Sequence, residues 1–297
     1  MQKMLQNRNM IPVLILLITL IWGYAWVLMK EAVDFMGPFT FSTFRFATGT
    51  LTMIIVLLLL KVKRPPMWSW KHLIIIGFLQ TTVVFTLVMY GLQFVEAGKS
   101  SVLLYSMPVW STVLSVCLLK EKVTKGKIIG LSFGLVGLFT ILGWDIWKNQ
   151  TPELLIGETL IIIAAISWGA SNVYYRKTVS KLSQLQVNTY QMLFGTVGLA
   201  IVAVIMEGGD SINFTPYSIY IILFTGVLAS AFCFTAWFFV LNAIEMTTAT
   251  IATLLVPVFG LFLGWLLIDE NIGVSILIGT GLIISGIVIS TLAKRVR

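Results

Sequence analysis

Long apolar runs, each about one bilayer crossing in length, follow one another along nearly the whole chain with short polar connections between them. A helix needs roughly 20 apolar residues to cross about 30 Å of hydrocarbon. The runs meet that length and lack the alternation that barrel strands would show. They predict ten spans: 11–29, 38–60, 72–94, 98–119, 126–144, 156–175, 186–206, 217–240, 246–268 and 273–292. The longest connection, from about Ile146 to Leu155, has no room for a soluble domain. The first run follows Lys3 and Arg8 as a signal peptide would, but it is too long for a cleaved one and further spans follow, so its retention is expected.

The polar landmarks within these runs recur. Trp168-Gly169 answers Trp22-Gly23, and Arg176 answers Lys30, at an offset of 146 residues. At an offset of 149, Glu245 answers Glu96, Pro257 answers Pro108, Glu270 answers Glu121, and Gly279 and Gly286 answer Gly130 and Gly137. One membrane unit is written twice, as residues 1–146 and 155–297. Five spans per unit is an odd number, so the second unit is expected to enter the bilayer from the opposite side. The expected fold class is therefore all-α: a polytopic membrane protein of ten transmembrane helices in two inverted five-helix repeats, a plan common among secondary transporters.

Composition and charge agree. Of 297 residues, 58% are hydrophobic and 11% charged, where a soluble domain carries about a quarter. With the N-terminus cytoplasmic, sixteen basic residues fall on the inner side and only Lys30, Lys99 and Lys148 on the outer, a strong positive-inside bias that persists to the C-terminus. Both termini are then cytoplasmic and the membrane is the plasma (inner) membrane. The connection Lys120-Glu121-Lys122 is basic while its counterpart Asp269-Glu270-Asn271 is not, as inversion requires. The net charge of +8 is thus explained by topology and calls for no nucleic-acid partner. Cys117 and Cys233 both lie in apolar spans, read as small packing residues, with no metal-ligand spacing. His72 is read as interfacial. No cofactor or metal is expected, and nothing in the pattern demands more than a monomer.

The chain resembles the EamA-type branch of the drug/metabolite transporter superfamily. The resemblance rests on Ile21-Trp22-Gly23, Arg45-Phe46, Pro108 and Leu119-Lys120-Glu121, and in the second half on Ser167-Trp168-Gly169, Pro257-Val258-Phe259 and Asp269-Glu270. It implies ten helices around a central cavity lined mainly by spans 1, 3, 4, 6, 8 and 9, with spans 5 and 10 peripheral. Members of such a family commonly export amino acids or related metabolites.

Several buried polar residues are candidates for the site. Arg45 lies about 10 Å into its span at 1.5 Å per residue. An ionisable residue at that depth faces protein or water. It can grip a carboxylate or phosphate with two parallel bonds, or bond helix-end carbonyls and fix packing; the family's arginine at this position across varied substrates favours packing. Its repeat counterpart is the uncharged Gln191. Trp22, Tyr90, Trp168 and Trp237 sit deep in their spans and offer an apolar wall with a hydrogen-bonding tip, whereas Trp26, Tyr174 and Tyr175 are near enough to span ends to be interface anchors. Gln80, beside Thr81 and Thr82, and Asn172, one turn from Trp168, need partners that are either substrate or a neighbouring helix. Pro108 and Pro257 remove the donors to the carbonyls of Leu104 and Thr253 and are candidate hinges. Glycines of spans 5 and 10 are read as close-packing positions.

None of the twelve acidic residues falls in mid-span, which argues against a proton-coupled exporter of cationic drugs, since that mechanism places a carboxylate in the pathway. Glu96 and Glu245 come nearest. An intramembrane enzyme would need paired aspartates, a His cluster or a Ser/His dyad at depth, and none is present. Short loops disfavour a non-transporting scaffold. The expected function is a secondary transporter, exporter or facilitator, of small metabolites, with amino acids the leading class; its partners are that substrate and the lipid bilayer.

Overall fold

The structure, a computed structural model, describes residues 10–95, 97–142, 151–268 and 274–292. It is helical, with no strand among the described residues. α1 is Met10–Ala32, α2 Pro38–Leu59, α3 Met67–Gly91, α4 Ala97–Leu104, α5 Met107–Leu114, α6 Lys125–Leu142, α7 Pro152–Thr178, α8 Gln184–Glu207, α9 Pro216–Ala243, α10 Met246–Ala252, α11 Leu255–Ile268 and α12 Val274–Leu292. Eight stretches among the described residues are long and apolar enough to cross a membrane. The outward faces are apolar: Leu59, Val204 and Ile205 are each more than 70% exposed, as a lipid-facing surface should be and a water-facing one rarely is. The protein is a polytopic helical membrane protein.

Helix starts follow local chemistry. Pro38, Pro152 and Pro216 open α2, α7 and α9, where a missing N–H costs nothing. Thr151 and Thr215 cap the last two with side-chain bonds to Leu154 and Ser218. The predicted fourth and ninth spans are each broken in the middle. α4 gives way to α5 at Tyr105 and Ser106, just before Pro108, and α10 to α11 at Thr253 and Leu254, just before Pro257. The tighter bonds Ser106 N–H to Leu103 O, 3.2 Å, and Thr253 N–H to Thr250 O, 3.1 Å, close the two turns. Proline without an amide hydrogen, wedged against the carbonyl four residues back, accounts for both. The Thr253 carbonyl accepts from Val256 N–H instead, at 2.9 Å.

α3 widens into a π-helical turn over Phe78–Val83, and α9 does so over Phe224–Phe232. Shifted by the repeat offset of 149, the first falls within the second. Such turns leave backbone carbonyls to be satisfied from outside the helix and are frequent at functional sites.

The glycines permit close approach between helices. A side chain at Gly23 would strike Phe259 and Gly260 of α11, and one at Gly169 would strike Trp110 and Ser111 of α5. α6 and α12 pack on each other through Gly130 with Gly286 and Gly137 with Gly279. Two contacts join a residue to the one a repeat offset away. Trp22 meets Trp168 edge-on with ring centres 5.7 Å apart, and the hydroxyls of Thr50 and Thr196 lie 3.2 Å apart.

Residues that the charge pattern assigns to one side meet at one end. At the basic end Arg176 pairs with Glu121 at 2.6 Å and donates to Ile244 O; Lys127 pairs with Glu245, His72 with Tyr174 and Gln186 with Lys63 O. At the other end Glu207 accepts from the N–H groups of Phe39 and Thr40, Asn213 N–H reaches Phe35 O, and Tyr217 bonds Glu31. The Glu207 carboxylate thereby satisfies free donors at the start of α2. Cys233 is buried, as a packing residue should be, whereas Cys117 is exposed and so does not pack as expected. Glu96, Glu270 and Gly273 lie outside the described residues.

Candidate functional site

The indoles of the two Trp-Gly pairs, carried on α1 and α7, meet at the centre. Around them closes a cavity of about 30 Å³, room for about two waters. Its walls are Trp22, Trp26 and Met29 of α1, Arg45 of α2, Gln80 and Phe85 of α3, Tyr105 at the α4–α5 break, Trp168 of α7 and Phe234 of α9. A wider vestibule of about 320 Å³ lies toward the non-basic end, between Lys30, Pro38 and Gln93, and shares Trp26 and Met29 with the inner cavity. Among the described residues neither has an acidic residue in its lining.

Arg45 is 2% exposed. Its Nε donates to Ser230 Oγ at 3.0 Å, one terminal nitrogen reaches Met29 Sδ at 3.0 Å, and its guanidinium lies over the rings of Phe85 and Phe46 at 4.8 and 5.1 Å. No carboxylate bonds it among the described residues. The aromatic faces supply attraction, but a buried cation without an anion is otherwise costly.

Gln80 sits within the α3 π-helical turn. Its Oε1 accepts from Ser171 Oγ at 3.2 Å, while its Nε2 has no partner. Trp168 Nε1 is also buried and unpartnered. The reason is local. In the first half the Trp22 indole N–H donates to Ala229 O in the α9 π-helical turn, at 2.9 Å. In the second half it is Ser167 Oγ that reaches the equivalent turn of α3, at Leu79 O, 2.8 Å away. Ser167 stands where the first repeat has Ile21 and relieves Trp168 of that task.

The other candidates fall elsewhere. Gln191 accepts from Thr81 Oγ1 at 2.9 Å and donates to Asn188 Oδ1 at 3.0 Å, and Thr82 bonds Gly195 O; these tie α3 to α8. Asn172 Oδ1 takes the Trp237 indole N–H at 3.1 Å, so both are satisfied by each other and do not line the cavity. Tyr90 stacks on Phe39 with ring centres 6.5 Å apart, in a separate cluster. Pro108 and Pro257 mark the helix breaks. Sequence reasoning missed Tyr105, which the break before Pro108 carries into the cavity, and assigned Trp26 to the interface although it walls both spaces. A polar-tipped aromatic three residues before a mid-span proline was the available signal for Tyr105.

A polytopic helical protein with a small central cavity walled mainly by aromatic and apolar side chains, beside a wider vestibule toward one end, has the architecture of a membrane carrier. Comparison makes this specific. The model of the EamA-like transporter family matches residues 9–143 and again 155–292. The uncharacterized transporter YoaV of Bacillus subtilis is 36% identical over 93% of this chain and 95% of its own. A probable amino-acid metabolite efflux pump of Salmonella typhimurium is 23% identical over 96% of this chain and 95% of its own. A crystal structure 18% identical in sequence superposes with a TM-score of 0.82, covering 96% of this chain and 98% of that one, a likeness of fold. The chain belongs to the EamA-like transporter family.

Proposed function

We infer that the protein is a secondary transporter, exporter or facilitator, moving small metabolites across the plasma membrane by alternating access. Amino acids are the leading substrate class, a reading in keeping with the efflux pump named above. The observation that carries it is the small, largely apolar cavity, with Arg45 and Gln80 in its wall, beside the contact of Trp22 with Trp168. Residues on a two-fold axis meet their own counterparts, and the pairs Trp22–Trp168 and Thr50–Thr196 support two repeats, 1–146 and 155–297, related by an axis through the site. Inversion is supported by helix sense: α1 ends, at Glu31, beside Tyr217 of the non-basic end, while its counterpart α7 ends, at Arg176, beside Glu121 of the basic end. An inverted pair can exchange the conformations of its halves, so opening to one side implies an equivalent opening to the other.

The vestibule opens at the end bearing Lys30 and Pro38, and ion pairs tie the basic end together. With the basic end cytoplasmic, by the charge rule, both termini are inside and this conformation faces outward. The test is uptake of a labelled metabolite panel into proteoliposomes, with and without a pH gradient. Amino-acid flux above empty liposomes, insensitive to the gradient, is expected. Movement of no amino acid removes that substrate class, and a steep gradient dependence replaces facilitation by proton coupling.

A further inference from the structure

Three residues in the cavity wall carry hydrogen-bond donors that their repeat counterparts lack or have already satisfied. Arg45 stands where the second repeat has Gln191, whose amide is occupied by Thr81 and Asn188. Gln80 stands where the second repeat has Ala229. The Trp168 N–H has no partner, whereas the Trp22 N–H is held by Ala229 O. The cavity therefore keeps a buried guanidinium without a carboxylate, a buried amide NH₂ without an acceptor and a buried indole N–H without an acceptor. Each of these side chains is at least 95% buried and lines one small space. Orphaned buried donors are rare and each asks for an explanation. Packing supplies none here, because each repeat counterpart is either satisfied or apolar. Three donors, with no acidic neighbour in the lining among the described residues, fit one chemical group, a planar anion with several lone pairs.

We propose that Arg45, Gln80 and Trp168 read the carboxylate of the transported molecule, and that its amino group, where it has one, is not required. The proposal rests on the transport reading and deepens it. The carboxylate enters the inner cavity, with Arg45 supplying the charge-assisted bonds and the other two fixing orientation. The apolar body of the substrate lies against Trp26 and Met29 and extends into the vestibule, whose lining is apolar apart from Lys30 and Gln93. A cationic or amine-only ligand would meet donors and no acidic partner.

The test is equilibrium binding to the purified full chain in detergent, using acetate, 4-methylpentanoate, 3-phenylpropanoate and L-phenylalanine against the corresponding carboxamides. At least one carboxylate is expected to bind tenfold or more tightly than its carboxamide, with 3-phenylpropanoate within a few-fold of L-phenylalanine. Trp168→Phe and Gln80→Met, which keep the side-chain bulk and remove the donors, should each weaken carboxylate binding by about tenfold and narrow the acid-to-amide ratio. Thermal unfolding of each variant shows whether it is folded. Equal binding of acid and amide, carboxylate affinity unchanged in both folded variants, or no binding by any carboxylate at millimolar concentration overturns the proposal. Carboxylate binding without flux in proteoliposomes would overturn the transport reading and leave this one standing; flux of non-carboxylates alone would do the reverse.

Discussion

Arg45 and Gln191 occupy equivalent places in the two halves of the molecule, and they do opposite things. Gln191 is fully buried with both its oxygen and its nitrogen bonded to neighbours, and it ties α8 to α3. Arg45 is equally buried, yet its partners are a serine hydroxyl, a thioether and two aromatic faces, and it borders empty space. The same contrast separates Trp22 from Trp168. In the first pair the under-used donor belongs to the first half and in the second pair to the second half, so in each pair one member is tied into the fold and the other keeps a donor at the cavity. These departures from the repeat single out the candidate site residues more sharply than the shared motifs do.

Making the halves alike at Arg45 should have the largest effect. Arg45→Gln, which copies the second repeat, is expected to lower proteoliposome flux by 100-fold or more while leaving the protein folded, and Arg45→Lys should recover only part of it because the planar fork is lost. Normal flux by Arg45→Lys would exclude bidentate substrate binding. Breaking the satisfied side should instead cost stability. Gln191→Leu orphans the groups on Thr81 and Asn188 and is expected to destabilise by about 1–2 kcal/mol, read as a lower melting temperature with unchanged discrimination among substrates. Trp22→Phe leaves Ala229 O in the α9 π-helical turn without its indole donor, and a loss of about 1 kcal/mol is expected. The smallest effect belongs to the basic end. Glu121→Gln removes a partly buried ion pair to Arg176 worth about 1 kcal/mol; a shift toward labelling from the basic end, with little change in melting temperature, would show that the pair biases the conformational equilibrium.

Much of the fold is legible in the sequence because it follows from few rules. The apolar runs place the described helices to within a few residues, since bilayer thickness fixes their length. Pro108 and Pro257 announce the two breaks because proline cannot serve the carbonyl four residues back. The glycines of spans 5 and 10 announce close helix packing, and the structure sets Gly130 against Gly286 and Gly137 against Gly279. The π-helical turns are not legible, because Phe78–Val83 and Phe224–Phe232 have no residue pattern that distinguishes a π-helical from an α-helical turn. The site is half legible. Trp22, Arg45, Gln80 and Trp168 come together, whereas Trp237 and Asn172 satisfy each other and Tyr90 stacks in another cluster. Residue type and depth identify a polar group that needs a partner, but only the packing shows whether a neighbouring helix provides it.

The central claim is that one cavity is reached from the two sides of the membrane in turn. Val84 lines that cavity and is buried. With Cys117 and Cys233 replaced by alanine, a single cysteine at position 84 can be labelled with a membrane-impermeant thiol reagent in sealed vesicles of each orientation. Alternating access gives slow labelling from both faces, with substrate altering the two rates in opposite directions. Labelling confined to one face under every condition would contradict alternating access in this protein.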